Sequence, residues 1–242
     1  MSSTNRLLQL LPEEESTGVM SQCDEITLTY YETLAEPGET YSHVYFPLSG
    51  IISLVNVLNG KPAIEAGLLG TEGMLGATVA LGVSRAPTRA LVQGSGAALR
   101  IDAVVFRDLL ALHPTLNQVT MHYLYVVNEQ LTQASVCTRF HVLESRLARW
   151  LLMTQDRAQN DTFDITHQYL ASMLGVRREG ITGAASKMQL RGLIHYRRGR
   201  LQIIDRQGLK KIACGCYGTN KASYERILGS SQTGEMAASG VA

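Results

Sequence analysis

THQYLASMLGVRREGITGAASKMQLRGL, residues 166–193, reads as two short helices joined by a glycine-containing turn. Thr166 is of the type that caps a helix start. The apolar residues Leu170, Ala171 and Leu174 follow at helical spacing, and Gly175 supplies the turn. In the second helix Ile181, Ala184, Ala185 and Met188 recur at i, i+3, i+4 and i+7, one stripe of a 3.6-residue period. That burial leaves Arg177, Arg178, Glu179 and Thr182 on the outer side of the helix's N-terminal end. A helix pair of this kind is a helix-turn-helix, and that end is the part that enters a DNA major groove.

Two strand-like runs come next, Leu193–Arg197 and Arg200–Ile204, rich in branched and aromatic residues and separated by Arg198-Gly199. This is a candidate β-wing. Alone, Arg197, Arg198 and Arg200 would be a solvated hairpin tip. Directly behind a helix-turn-helix they are expected to contact phosphate, together with Thr166, Gln168 and Lys187.

Charge divides along the chain although the whole is nearly neutral at net +1 over 242 residues. Residues 1–145 carry 7 Lys and Arg against 14 Asp and Glu, a net of −7, whereas residues 146–214 carry 13 against 5, a net of +8. An acidic module precedes a basic one, and the electrostatic footprint for DNA is confined to the second. The length suits two domains. No apolar run reaches the roughly 18 residues of a membrane span, and the N-terminus has no secretory segment, so a cytoplasmic protein with no membrane partner is expected.

Glycines at 38, 50, 60, 67, 70, 73, 76, 82, 94 and 96 punctuate the first 110 residues at the spacing of short antiparallel strands. The expected strands are His43–Phe46, Ile51–Leu58, Ala63–Leu69, Thr88–Gln93 and Ala97–Ile101, with Asn59-Gly60 as a hairpin turn. From Pro114 to about Arg139 the period becomes helical and carries two stripes. One runs through Leu116, Val119, Tyr123 and Val126, the other through Met121, Leu124, Asn128, Leu131 and Ser135. Two stripes imply two partners: the β-domain, and the same helix of a second subunit. The alternative is a helix buried wholly within one subunit. Phe140–Arg149 is expected to form a hinge and the first helix of the DNA module, with Leu143, Leu147, Trp150 and Leu151 on its apolar face.

An acidic β-roll, a long helix and a winged helix, in that order, resemble the Crp/Fnr superfamily of bacterial transcription regulators. The resemblance spans about residues 7–215. It is most specific at Pro37-Gly38-Glu39 with His43-Val44-Tyr45-Phe46-Pro47-Leu48-Ser49-Gly50, and at Leu170-Ala171 through Glu179. It implies an α+β chain: a sensor β-roll of the double-stranded β-helix or jelly-roll type (1–113), a dimerisation helix (114–139) and a winged helix-turn-helix (140–217). A disordered tail is expected over 229–242. It also implies a homodimer on a near-palindromic double-stranded DNA site, with Arg178 and Glu179 reading G and C edges. Gly183 stands where well-known members carry another base-contacting arginine, and Arg177 replaces a Ser or Thr cap. An activator would also touch RNA polymerase, and no sequence pattern marks such a surface.

Cyclic-nucleotide-binding members hold ribose with Gly-Glu and the phosphate with Arg-Ser/Thr-Ala. The matching segments here are Gly76-Ala77 and Thr88-Arg89-Ala90, so the carboxylate is missing and the arginine is displaced by one residue, to the opposite face of its strand. Cyclic AMP in the usual mode is therefore not expected. No cofactor is implied, and the effector is unknown. Its pocket is expected near Gly73, Gly76, Arg85, Thr88, Arg89 and Thr132.

The four cysteines, Cys23, Cys137, Cys214 and Cys216, lack the N-terminal grouping that an iron–sulfur sensor needs. Cys214-Gly-Cys216 follows Lys210 and Lys211, which favour thiolate, but the pair also reads simply as the end of the winged domain. The histidines His43, His113, His122, His141, His167 and His195 show no HxH or HxxxH spacing, so no metal site is expected. Gly67 to Gly76 lacks the Gly-Lys-Ser/Thr ending of a phosphate loop, and no catalytic constellation stands out, so the chain reads as non-catalytic. The second reading is a sensor or scaffold whose winged helix binds protein. The exposed arginines speak against it.

Overall fold

The computed structural model describes residues 4–58, 61–158 and 160–229. The Asn59-Gly60 turn and the tail beyond Gly229 lie outside the described residues. A short helix α1 (Glu13–Met20) leads into seven strands: β1 (Asp24–Leu28), β2 (Thr33–Ala35), β3 (His43–Pro47), β4 (Ile51–Leu58), β5 (Lys61–Leu69), β6 (Arg89–Gly94) and β7 (Gly96–Asp102). They form two antiparallel sheets, ordered β1-β7-β3 and β2-β6-β4-β5. Phe46, Ile52, Leu75, Ile101 and Phe106 fill the space between them and are essentially sealed from solvent. The five strands expected from the sequence are present with ends shifted by at most two residues. β1 and β2 are additional.

Helix α2 (Ala103–Leu112) starts where the Asp102 carboxylate accepts from the Val104 and Val105 amides at 2.7 and 3.2 Å. The 27-residue helix α3 (Pro114–Phe140) follows, with proline in its first turn, where a missing N–H costs nothing. Its first stripe, Leu116, Val119, Tyr123 and Val126, is buried in the β-roll core. Along its second stripe Met121 and Leu124 are half-buried, while Asn128, Leu131 and Ser135 are exposed. Leu124 also packs on the roll core, so it serves both faces.

The C-terminal part contains α4 (Leu143–Ala158), β8 (Thr162–Asp164), α5 (His167–Leu174), α6 (Arg178–Leu190), β9 (Ile194–Arg197), β10 (Arg200–Ile203) and α7 (Arg206–Ile212). Leu147, Leu151, Leu170, Ile181, Met188, Leu201 and Leu209 make its core, and the small sheet is ordered β8-β10-β9. A last helix, α8 (Cys216–Leu228), turns back along α3 and sinks Tyr224 and Leu228 into the roll core. The Tyr224 hydroxyl donates to the Glu72 carbonyl at 2.9 Å, and Arg226 pairs with Glu129 at 2.9 Å. No helix among the described residues is long and apolar enough to cross a membrane.

Candidate nucleic-acid interface and effector cavity

The Thr166 hydroxyl caps α5 by accepting from the Tyr169 amide at 3.1 Å. Gly175 ends that helix at φ 64°, and a Cβ there would lie 3.0 Å from the Ile64 side chain. The turn therefore needs glycine for its dihedral, and a side chain there would also crowd Ile64 of β5. Arg177 holds the N-cap position of α6 without a side-chain cap bond, as its sequence suggests. Arg177, Arg178, Glu179 and Thr182 are all exposed around the first turns of α6. The Thr182 hydroxyl donates to the Arg178 carbonyl at 3.1 Å and lies 3.0 Å from His167 Nδ1, which fixes α5 and α6 to each other at this end. The His167 ring stacks on Tyr196 of β9 at 4.2 Å, extending the brace to the wing.

The β9–β10 turn has Arg198 and Gly199 both at positive φ, 50° and 83°, the geometry of a tight primed hairpin turn. Arg197, Arg198 and Arg200 are exposed around it, as are Thr166, Gln168 and Lys187 near α5 and α6. Among the described residues none of Arg177, Arg178, Lys187, Arg197, Arg198 and Arg200 is in an ion pair. By contrast, Arg157, Arg191 and Arg206 are matched to Glu72, Glu144 and Asp156. Unpaired cations cluster on the face made by α6 and the wing.

A cavity of about 220 Å³ lies where the β-roll, α3 and α4 meet. Its walls are mainly apolar, with Leu54, Leu69, Leu75, Val127 and Met153, and its polar groups include Glu65, Thr78, Thr88, Arg149 and Trp150. The Thr78 hydroxyl and the Arg149 Nε are buried without a hydrogen-bond partner among the described residues. Of the residues expected there, Gly76 and Thr88 line the cavity. Gly73 instead packs under the Tyr123 ring, where a Cβ would collide with its hydroxyl. Arg85 donates to the Gly38 carbonyl at 2.9 Å on the roll surface. Arg89 is held by Glu36 at 2.9 Å, consistent with a side chain turned to the far face of β6. Thr132 is exposed on a separate groove between α3 and α8. These three do not reach the cavity, because local partners or helix phase carry them away from it.

Trp150 has a role that its apolar stripe did not reveal. It belongs to the core of the C-terminal part, yet its indole N–H donates to Glu65 of β5 at 2.8 Å. The Ser53 hydroxyl donates to the same carboxylate at 2.7 Å. Glu65 keeps some accessible surface because it lines the cavity, but its carboxylate is enclosed, and burial pushes it up to about 7 against the pull of those two donors. Arg157 of α4 meets Glu72 at 2.7 Å beside it. The two parts of the chain are thus joined through polar contacts at the edge of the cavity.

Three of the cysteines and one histidine, which histidine spacing gave no reason to group, come together in the fold. Cys137, His141, Cys214 and Cys216 converge, with their ligand atoms all within 4.8 Å of one another. Histidine–histidine spacing was the wrong signal to seek. Cys137-x₃-His141, one helical turn apart, together with Cys214-x-Cys216 would have pointed there.

An antiparallel roll, a long helix on its flank and a winged helix-turn-helix define the fold of the Crp/Fnr-type regulators. Residues 145–212 match the Crp-like helix-turn-helix domain. Similar solved structures include a Crp/Fnr-family transcriptional regulator from Eubacterium rectale, at 16% identity, covering 85% of this chain and 96% of that one, with a TM-score of 0.64. A mutant of CooA from Carboxydothermus hydrogenoformans shares 18% identity over 86% and 95% of the two chains, with a TM-score of 0.60. The c-di-GMP-responsive global regulator CLP of Xanthomonas campestris shares 16% over 80% and 100%, with a TM-score of 0.61. No curated protein matches the sequence. The chain therefore has the architecture of a Crp/Fnr-type regulator with a Crp-like helix-turn-helix domain.

Proposed function

We propose that the chain is a non-catalytic, sequence-specific regulator of transcription that binds double-stranded DNA as a homodimer. The observation that carries this is the face of unpaired cations on α6 and the wing, set on a braced helix-turn-helix. Arg178 and Glu179 are the base readers, since a guanidinium bonds G O6 and N7 together and a carboxylate accepts from C N4. Arg177 and Thr182 flank them at the same end of α6. Thr166, Gln168, Lys187, Arg197, Arg198 and Arg200 hold phosphates and set the register. The half-exposed second stripe of α3 is the dimer seam, which spaces two recognition helices for an inverted repeat.

The effector is a small, largely apolar molecule in the cavity, whose walls are mainly apolar and whose few polar residues, Glu65, Thr78, Thr88 and Arg149 among them, would orient it. Ala77 brings no carboxylate to a ribose and Arg89 is tied to Glu36, which argues against cyclic AMP in the usual mode. Selection of binding sites from random duplexes by the purified protein, with and without cyclic AMP at fixed salt, tests both statements. An inverted repeat enriched equally in the two arms is expected. Enrichment only with cyclic AMP would overturn the effector reading, and a selected half-site without symmetry would overturn the dimer. Enrichment in neither arm, even with added cell extract as an effector source, would favour a protein-binding winged helix.

A further inference from the structure

Cys137 lies in the last turn of α3 and His141 is that helix's C-cap, so both project from one face at the junction with α4. Cys214 follows α7, and Cys216 is the first residue of α8. The three cysteines are buried and form a cluster of their own. Cys137 Sγ is 3.5 Å from Cys214 Sγ, and Cys216 Sγ is 3.4 Å from His141 Nδ1. A disulfide needs about 2.05 Å between sulfurs, so the thiols are free. A tetrahedral zinc with bonds of about 2.3 Å to sulfur and about 2.0 Å to nitrogen holds its ligand atoms roughly 3.5–3.8 Å apart. Both observed separations are at or close to that range before any adjustment.

From this geometry we infer that Cys137, His141, Cys214 and Cys216 form a Cys₃His zinc site that clips the end of the long helix to the start of α8. Four protein ligands close the coordination sphere, the mark of a structural rather than a catalytic zinc. A cluster of several irons would spread its cysteines over different metal atoms, whereas here all four ligand atoms lie within 4.8 Å of one another. The surroundings suit the charge. Three thiolates and Zn²⁺ leave one net negative charge, and Arg146 and Arg149 lie close enough to interact with the sulfurs. The Gln133 amide donates to Cys216 Sγ at 3.0 Å, an outer contact that holds the ligand in place. The Cys214 amide bonds the Ser145 carbonyl at 3.4 Å, so the site also anchors the first turn of α4. Bound metal would thus tie α3, α4 and α8 together where the roll and the winged helix meet.

Full-length protein purified under reducing conditions without chelator should contain about one zinc per chain by elemental analysis. Cobalt exchanged into it should show thiolate-to-cobalt charge transfer and the intense ligand-field bands of a tetrahedral centre. Cys137→Ser, Cys214→Ser and Cys216→Ser should each lose the metal, while Cys23→Ser, at a remote half-buried thiol, and His141→Cys, which keeps four ligands, should retain it. The wild-type metal content and cobalt spectrum decide the matter even if the serine variants fail to fold. Metal-free protein after zinc reconstitution, an octahedral cobalt spectrum, stoichiometric iron with cluster absorption, or a Cys137–Cys214 disulfide found by mass spectrometry would each overturn the site.

Discussion

Gly183 sits on the outer face of α6, where an added Cβ meets nothing within 4 Å, whereas a Cβ at Gly180 would lie 3.0 Å from Leu143. Glycine inside a helix costs about 1 kcal/mol relative to alanine. Gly183→Ala should therefore stabilise the protein by close to that amount, seen as a higher midpoint in denaturant at unchanged m-value. Gly180→Ala should gain less or nothing, because Leu143 must give way. Equal gains at both positions would show that the α4–α6 contact is looser than described. The sequence exposed these glycines but not their difference, which depends on a side chain from another helix, distant along the chain. The same limit hid Glu65 and Trp150, which are separated by 85 positions and meet only in the fold. That Arg89 turns to the far face of β6 was legible, although the residue was also expected at the pocket, because the alternation of side chains follows from strand geometry alone.

At the level of elements, the proposed DNA interface gives α6 and the wing separable tasks. Replacing Arg197, Arg198 and Arg200 together by alanine should weaken binding of all DNA sequences alike. It should also flatten the salt dependence of the affinity, by about one log unit for each phosphate that these arginines neutralise. Arg178→Ala should instead cost about 1–3 kcal/mol on the preferred site and relax the choice of base at one position. Binding titrations at several salt concentrations on preferred and scrambled duplexes distinguish the two, and a salt slope unmoved by the triple replacement would remove the wing from the interface. For α3, Leu131 is 43% exposed on the second stripe, at the edge of the cavity. If α3 is the dimer seam proposed above, Leu131→Glu should lower the mass found by light scattering from dimer to monomer, since an unpaired charge is costly in a helix seam. An unchanged mass would assign dimerisation elsewhere. These elements were readable because apolar runs between glycines, and stripes at 3.6 residues, follow from burial. Strand β1, Asp24-Glu25-Ile26-Thr27-Leu28, is exposed at three of its five positions, so burial left little apolar pattern to read. Helix α8 is built largely of small and polar residues, and its place is set by Tyr224 and Leu228 in the roll core, by Arg226 on Glu129, and by the Ser223 hydroxyl bonded to that carboxylate.

Across the whole molecule, the contact between the roll and the winged helix is made sensitive to protons by Glu65. Enclosure raises this carboxyl from 4.5 to about 7, and Ser53, Trp150, Arg157 and Arg149 only partly offset the effect. The packed arrangement therefore binds a proton more tightly than one in which Glu65 is hydrated. Its contribution is fully present below about 4.5 and is lost as pH rises to about 7, after which the penalty is constant. Trp150 is the sole tryptophan, so its fluorescence reports this contact without labels. Between pH 5 and 8 the emission should move to longer wavelength and become more open to acrylamide quenching. Glu65→Gln, which cannot ionise and still offers a carbonyl to the indole N–H, should flatten that profile. A pH dependence that survives Glu65→Gln would assign the titration to another group. A flat wild-type profile would mean that the domains stay packed despite the charge, held by the Arg157–Glu72 pair and the Ile64–Gly175 contact. Because Glu65 and Trp150 also line the cavity, an effector that hydrogen-bonds Glu65 in place of the indole should reproduce the alkaline emission at pH 5, linking occupancy to the placement of the winged helix through a single side chain.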